Sequence, residues 1–263
     1  MTPDAMLAAG AADRDVEPAL AAFRADGYAP LGRVLNDDGL AALRARADEL
    51  MLGRVTYPGL FFQGDPNTGD YADLTYGRGY EGPSLDYRKV EKLELDPLFF
   101  AWLSNPLFGR VVRTLTGGGA SIYRATLFNK PAAGGTVLPW HQDDGRFWGI
   151  DRAPVVQIWT ALDDAPPEAG CVEVVPGTHH AGLASPLGGV VQAAVVAARG
   201  VARSVLLGAR TGEAYLLHNH VWHRSGVNLT GRPRRAFTVC YLHADTRCLR
   251  RRREPRRFVR AFE

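Results

Sequence analysis

The spacing of apolar runs beyond residue 119 constrains this chain most. Short runs with strand composition recur at about 121–129, 139–144, 154–162, 171–175, 203–208, 214–219 and 235–242. Each is about as long as one strand and shorter than an ordinary globular helix. The breaks between them carry Pro and Gly: Pro166, Pro167 and Gly170 in one, Pro176 and Gly177 in another, Gly231 and Pro233 in a third. Proline removes a ladder donor and glycine tolerates left-handed backbone, so both end strands and make turns. Many short strands with such punctuation predict a sandwich or jelly roll.

The region before residue 119 reads differently. Residues 16–25 predict a short helix carrying Leu20 and Phe23, stopped by Asp26-Gly27, and 28–34 a strand. Asn36 is a good N-cap for 37–51, where Leu40, Leu43, Ala47 and Leu50 recur at helical spacing. Asp96-Pro97 and Asn105-Pro106 each pair a capping residue with proline at the first helical position, which opens two more helices. Residues 1–15 read as a loosely held lead-in. Residues 53–90 have no period but are rich in Tyr, Phe and acids. Two readings of that loop stand: its aromatics stack on a polar, cationic or sugar-bearing ligand, or they tuck into the core. Residues 181–202 predict a helix or lid inserted between strands. With no repeat or linker, the chain reads as a single domain over 1–263. Its parts are the lead-in (1–15), helical support and substrate loop (16–118), a jelly-roll core (119–243) and a basic tail (244–263).

Charge is concentrated in that tail. Residues 247–263 hold eight Arg against Glu254 and Glu263, a net of +6, so the first 246 residues carry −3 of the chain's overall +3. No aromatic interleaving or nucleic-acid motif accompanies the arginines, so a solvated terminus is expected and no nucleic-acid partner. Cys171, Cys240 and Cys248 are scattered and odd in number, which suits a reducing, cytoplasmic setting. No run of 18 apolar residues predicts a membrane span, and the first residues lack the pattern of a signal peptide.

Chemistry enters with Trp140-His141-Gln142-Asp143. On a strand, residues two apart share a face, so His141 and Asp143 can converge on one point. One more histidine would make a 2-His-1-carboxylate set, which suits non-haem Fe(II). His223 lies 80 residues after Asp143, a separation a jelly roll can close, and Arg234 follows eleven residues later. A buried arginine there could hold a carboxylate bidentately. His179, His180, His218 and His220 are rival ligands, and Arg232 and Arg235 rival cations. Strand alternation lets only one of Arg234 and Arg235 face inward.

The ordered set of motifs resembles the phytanoyl-CoA dioxygenase (PhyH-like) superfamily of Fe(II)/2-oxoglutarate-dependent oxygenases, in its bacterial specialised-metabolite branch. The matching pieces are Asp26-Gly27-Tyr28, Asn129-Lys130-Pro131, His141-Gln142-Asp143, Trp159 to Leu162, Gly170-Cys171, Pro176-Gly177-Thr178-His179, His223-Arg224-Ser225-Gly226 with Asn228, and Arg234-Arg235-Ala236. The resemblance implies a mainly β fold with flanking helices, a double-stranded β-helix (jelly roll, cupin-like). It implies His141, Asp143 and His223 as iron ligands and Arg234 on the distal carboxylate of 2-oxoglutarate. Lys130, Trp159 and Ser225 match positions lining the cosubstrate pocket, His179 matches a structural histidine, and Gln142 has no assigned role. Fe(II), 2-oxoglutarate and O2 are the implied cofactor and cosubstrates, with a small molecule as substrate and succinate and CO2 released. The intact Asp143 disfavours the related halogenases, which carry Gly or Ala there. The expected reaction is hydroxylation or oxidative cyclisation of a small polar metabolite, orthoester formation on a sugar-containing antibiotic precursor being one example. A hydroxylase of acyl-CoA or lipid-like substrates and a non-catalytic metal-binding jelly roll remain as alternatives. Oligomeric state does not follow from the sequence.

Overall fold

Two antiparallel sheets flanked by helices organise the computed structural model, which describes residues 1–66, 68–77, 79–132, 134–250 and 256–263. The helices are α1 (Glu17–Asp26), α2 (Asp37–Met51), α3 (Pro97–Leu103), α4 (Pro106–Thr116) and α5 (Ala193–Arg199). Strands β1 (Tyr28–Arg33), β2 (Phe61–Gly64) and β3 (Tyr87–Glu91) lie in the first hundred residues. Then follow β4 (Ala120–Lys130), β5 (Leu138–Gln142), β6 (Val156–Ala161), β7 (Val172–Val175), β8 (Gly189–Val190), β9 (Val205–Leu207), β10 (Glu213–Leu217), β11 (Trp222–Ser225), β12 (Arg234–His243) and β13 (Val259–Phe262). The larger sheet runs β1-β10-β6-β12-β4-β3-β2, with β13 also on β4, and the smaller runs β8-β5-β11-β7-β9.

The predicted helix caps form. Asn36 Oδ1 accepts from Gly39 N at 2.8 Å, Asp96 Oδ1 from Leu98 N and Phe99 N, and Asn105 Oδ1 from Phe108 N. These bonds satisfy amides that have no partner inside the helix. Phe99, Trp102 and Phe108 of α3 and α4 are fully buried with Phe237 and Tyr241 of β12. Phe99 and Phe237 lie 5.0 Å apart, ring centre to ring centre. Each buried ring contributes about 2 kcal/mol of apolar burial. This core clamps the outer face of the larger sheet and leaves its inner face to meet the smaller one. Between the sheets a second cluster forms, with Trp159, Val174, Leu217, Val221 and Ala236.

Several expectations change. The lead-in is ordered: Met6 and Ala11 are fully buried, Leu7 bridges Leu35, and Asn36 Nδ2 donates to the carbonyls of Ala5 and Leu7. The loop at 53–90 contains β2 and β3, which extend the larger sheet. Its aromatics pack on one another, with Phe62 5.0 Å from Tyr87 and 5.4 Å from Tyr80, and Phe61 5.6 Å from Tyr76. Within residues 181–202 the expected helix forms as α5. Val191, Val195 and Val196 pack on Trp140 and Trp222, on the outer face of the smaller sheet.

The basic tail is largely tied down, and 251–255 lie outside the described residues. Arg247 pairs with Asp151 at 3.1 Å, Arg250 donates to Phe147 O, and the Arg256 guanidinium sits 4.9 Å from the Tyr123 ring. No described helix is long and apolar enough to cross a membrane.

Candidate metal centre

β5 and β11 are neighbours in the smaller sheet, in a register that sets His141 opposite His223. A directly opposed cross-strand pair brings side chains together, and the two rings are 4.0 Å apart. Each ring's Nδ1 faces a backbone carbonyl, His141 that of Pro139 at 2.8 Å and His223 that of Val221 at 3.0 Å. A carbonyl can only accept, so it assigns the proton to Nδ1 and leaves the Nε2 lone pair free for a metal. Asp143 follows β5 and is held by Asn219 through two bonds of 2.8 Å, Asp143 N to Asn219 O and Asn219 Nδ2 to Asp143 O. One ligand atom from each of His141, Asp143 and His223 lies within 4.8 Å of the others.

The carboxylate of Asp143 is supported on both oxygens. Arg124 Nη2 donates to Oδ1 at 2.8 Å and Gln157 Nε2 to Oδ2 at 2.9 Å. Burial alone would raise this carboxyl, but the Arg124 guanidinium beside it holds it well below its ordinary value. Burial, then the neighbouring His223, pushes His141 down to about 3. An ionised carboxylate and a neutral imidazole are the protonation states a divalent cation requires. The donor set thus fits the expected metal.

Arg234 opens β12 opposite Lys130 of β4. It is 3% exposed, and its Nη2 donates to Gly170 O at 2.7 Å. No carboxylate among the described residues pairs with it. Burial pushes it down to about 10. Lys130 Nζ donates to Thr136 O at 2.7 Å. Burial, with Arg234 and Arg88 nearby, pushes that amine down to about 7. Arg234, Lys130, Trp159 and Ser225 line one cavity together with His141, Asp143 and His223. An arginine buried among carbonyls and facing a cavity is positioned to receive an anion.

The rivals sit elsewhere. His179 Nε2 faces Arg24 O, and His220 Nε2 pairs with Asp144 at 2.8 Å. Arg235 is bound by Asp163 and Asp48, and Arg232 is exposed. Gln142 turns away from the metal face, donating to Gly182 O and His220 O and accepting from Ala184 N. Its function is to anchor the 182–184 segment. Sequence reading missed Arg124, Gln157 and Asn219. Arg124 stands six residues before Lys130 on β4, so strand parity could have found it.

A model of the phytanoyl-CoA dioxygenase (PhyH) family matches residues 23–236. The chain belongs to this family. Phytanoyl-CoA dioxygenase domain-containing protein 1 of Bos taurus is 31% identical over 126 residues, covering 45% of this chain and 43% of that protein. The chain thus spans under half the length of that relative. The family's fold is shared with a non-haem α-ketoglutarate-dependent carbocyclase, SnoK from nogalamycin biosynthesis, at TM-score 0.70 and 20% identity over 95% of this chain and 97% of that one. AviO1 from Streptomyces viridochromogenes Tue57 aligns at TM-score 0.62 and 24% identity, over 88% and 96%.

Gly170 ties this arrangement together. It has φ 66, and a Cβ there would strike the carbonyls of Gly226 and Val227. Gly170→Ala is expected to cost about 3 kcal/mol in stability, from left-handed strain plus a backbone clash. It should also weaken anion binding at Arg234, whose partner is the Gly170 carbonyl. Thermal melts and cosubstrate titration measure the two effects.

Proposed function

We propose that the protein is an Fe(II)/2-oxoglutarate-dependent oxygenase acting on a small specialised metabolite, its two sheets forming a double-stranded β-helix. The observation that carries this is the convergence of His141, Asp143 and His223 in one cavity with Arg234, a buried guanidinium that has no carboxylate partner. In this reading the three side chains hold iron on one face. Arg234 takes the distal carboxylate of 2-oxoglutarate, Lys130 and Ser225 add donors, and Trp159 forms a wall. When bound, iron and 2-oxoglutarate supply an O2-derived oxidation of a C–H bond, with release of succinate and CO2. Leu138, Val172 and Leu217 line the same cavity and exclude water from it. The likeness to SnoK, an enzyme of nogalamycin biosynthesis, supports placing the substrate among specialised metabolites.

Anaerobic titration with Fe(II) and 2-oxoglutarate tests the proposal, followed by O2 and measurement of succinate. Succinate production no greater than that of His141→Ala protein would reject the oxygenase reading and leave the non-catalytic alternative.

Lys130 gives the cosubstrate affinity a pH dependence. Below about 7 the ammonium is already present, and above it a bound carboxylate must draw a proton onto Nζ. The Kd for 2-oxoglutarate is therefore expected to rise above pH 7, by at most about tenfold per unit. Titrations from pH 6 to 9 should show this slope in the wild type and lose it in Lys130→Met.

A further inference from the structure

We propose that Arg88 is an anchor for an anionic group, a carboxylate or a phosphate, on the primary substrate. This rests on the oxygenase reading above and adds a substrate class to it. Five cationic side chains line the cavity: Arg88, Arg124, Lys130, Arg224 and Arg234. Two are already neutralised, Arg124 by Asp143 at 2.8 Å and Arg224 by Glu173 at 2.6 Å. Arg88, Lys130 and Arg234 have no carboxylate at ion-pair distance among the described residues. A single dicarboxylate cosubstrate accounts for Arg234 and Lys130, because its other end is occupied at the metal. Arg88 is left over.

Its setting is that of a built site. Arg88 is 9% exposed, on β3, and among the described residues its guanidinium donates from Nη1 to the neutral Gln63 Oε1 at 2.9 Å. Next to it in sequence, Lys89 is paired with Glu91 at 2.9 Å, so the strand has a carboxylate available and does not give it to Arg88. Asp65, the other acid of the cavity wall, accepts from Thr136 N and Thr136 Oγ1, both at 2.9 Å. Asp65 and Glu91 favour the charged form of Arg88 from a distance without pairing with it, and a buried guanidinium with no carboxylate in contact is costly unless an anion arrives. The polarity is opposite to that expected from the acid-rich loop. Asp70, Asp73, Glu81 and Asp86 are exposed, and from 53–90 only Asp65 and Arg88 reach the cavity wall among the described residues.

The test uses protein loaded anaerobically with Fe(II) and saturating 2-oxoglutarate. Four matched probes are titrated by calorimetry: benzoate, phenyl phosphate, benzyl alcohol and benzylamine. In the wild type, at least one anion is expected to bind tenfold or more tightly than the alcohol and the amine, and the better of the two identifies the group. Arg88→Gln should bring the anions to the level of the alcohol while changing the Kd for 2-oxoglutarate less than twofold. Arg234→Gln should do the converse. Ligand-free Arg88→Met protein should melt no lower than the wild type, since no ion pair is broken. The proposal is overturned by any of four results. These are no anion preference in the wild type, a preference that survives Arg88→Gln, an equal loss of 2-oxoglutarate binding in that variant, or a lowered melting point for Arg88→Met. If wild-type protein binds neither iron nor 2-oxoglutarate, the oxygenase reading fails separately. Anion preference and its loss in Arg88→Gln are then measured on the metal-free protein.

Discussion

His141→Ala protein is expected to fold and to lose its metal. The imidazole is neutral, held down to about 3 by burial and His223, so its removal strands no charge. The lost bond to the Pro139 carbonyl costs about 1 kcal/mol. Metal affinity should fall by more than about 100-fold, because outer-shell partners of such ligands are already worth 10–100-fold. Asp143→Ala should behave differently although it removes an equivalent ligand. Arg124 would lose its contacting carboxylate in a buried position, keeping the Trp148 ring at 4.9 Å and the more distant charge of Glu91. Breaking one side of a buried pair costs about 3–5 kcal/mol. Metal-free melts thus separate the two variants, and Fe(II) titration joins them. Retention of wild-type Fe(II) affinity in either would show that the three side chains do not form the centre.

Which parts of this molecule were legible in its sequence follows from the range of the forces involved. Caps are local, so Asn36, Asp96 and Asn105 announced their helices. Seven strands of 119–243 were legible because Pro and Gly break them, and strand parity set Arg234 and Arg235 on opposite faces, but β8 and β11, the strand that carries His223, were not foreseen. β2 and β3 were not legible either, since they are fixed by pairing, β2 on β3 and β3 on the distant β4, and by no local pattern. Ordering of the lead-in is likewise long-range, resting on Leu35 and Asn36. The HxD spacing put His141 and Asp143 on one face, but the register that sets His223 opposite His141 exists only in the sheet. Arg88 was invisible for the same reason. In sequence it adjoins Lys89 and looks like a solvated pair, and only strand geometry sends one to Glu91 and the other to the cavity.

Arg234→Gln should abolish most 2-oxoglutarate binding and leave the metal site intact. The guanidinium is 3% exposed and its recorded partners are the carbonyls of Gly170 and Ala169, so it is desolvated without a counter-charge. Burial accordingly lowers it to about 10, still protonated at neutral pH. A dicarboxylate would gain a charge-assisted, bidentate contact there, and truncating one side of such a buried pair costs about 2–5 kcal/mol. The expected loss is on the order of 100-fold in Kd, with Fe(II) affinity unchanged, because Arg234 touches none of the three ligands. Stability should move the other way. Glutamine removes an unpaired buried charge and keeps a donor for Gly170 O, so ligand-free protein should melt at or above the wild-type temperature. Saturating 2-oxoglutarate should then raise the melting point of the wild type and not of the variant. Arg234→Lys separates charge from geometry: a point charge restores attraction but not the fork, so partial recovery of affinity is expected. Full affinity in Arg234→Gln would move the cosubstrate carboxylate to Lys130 or Arg88 and overturn the assignment of Arg234.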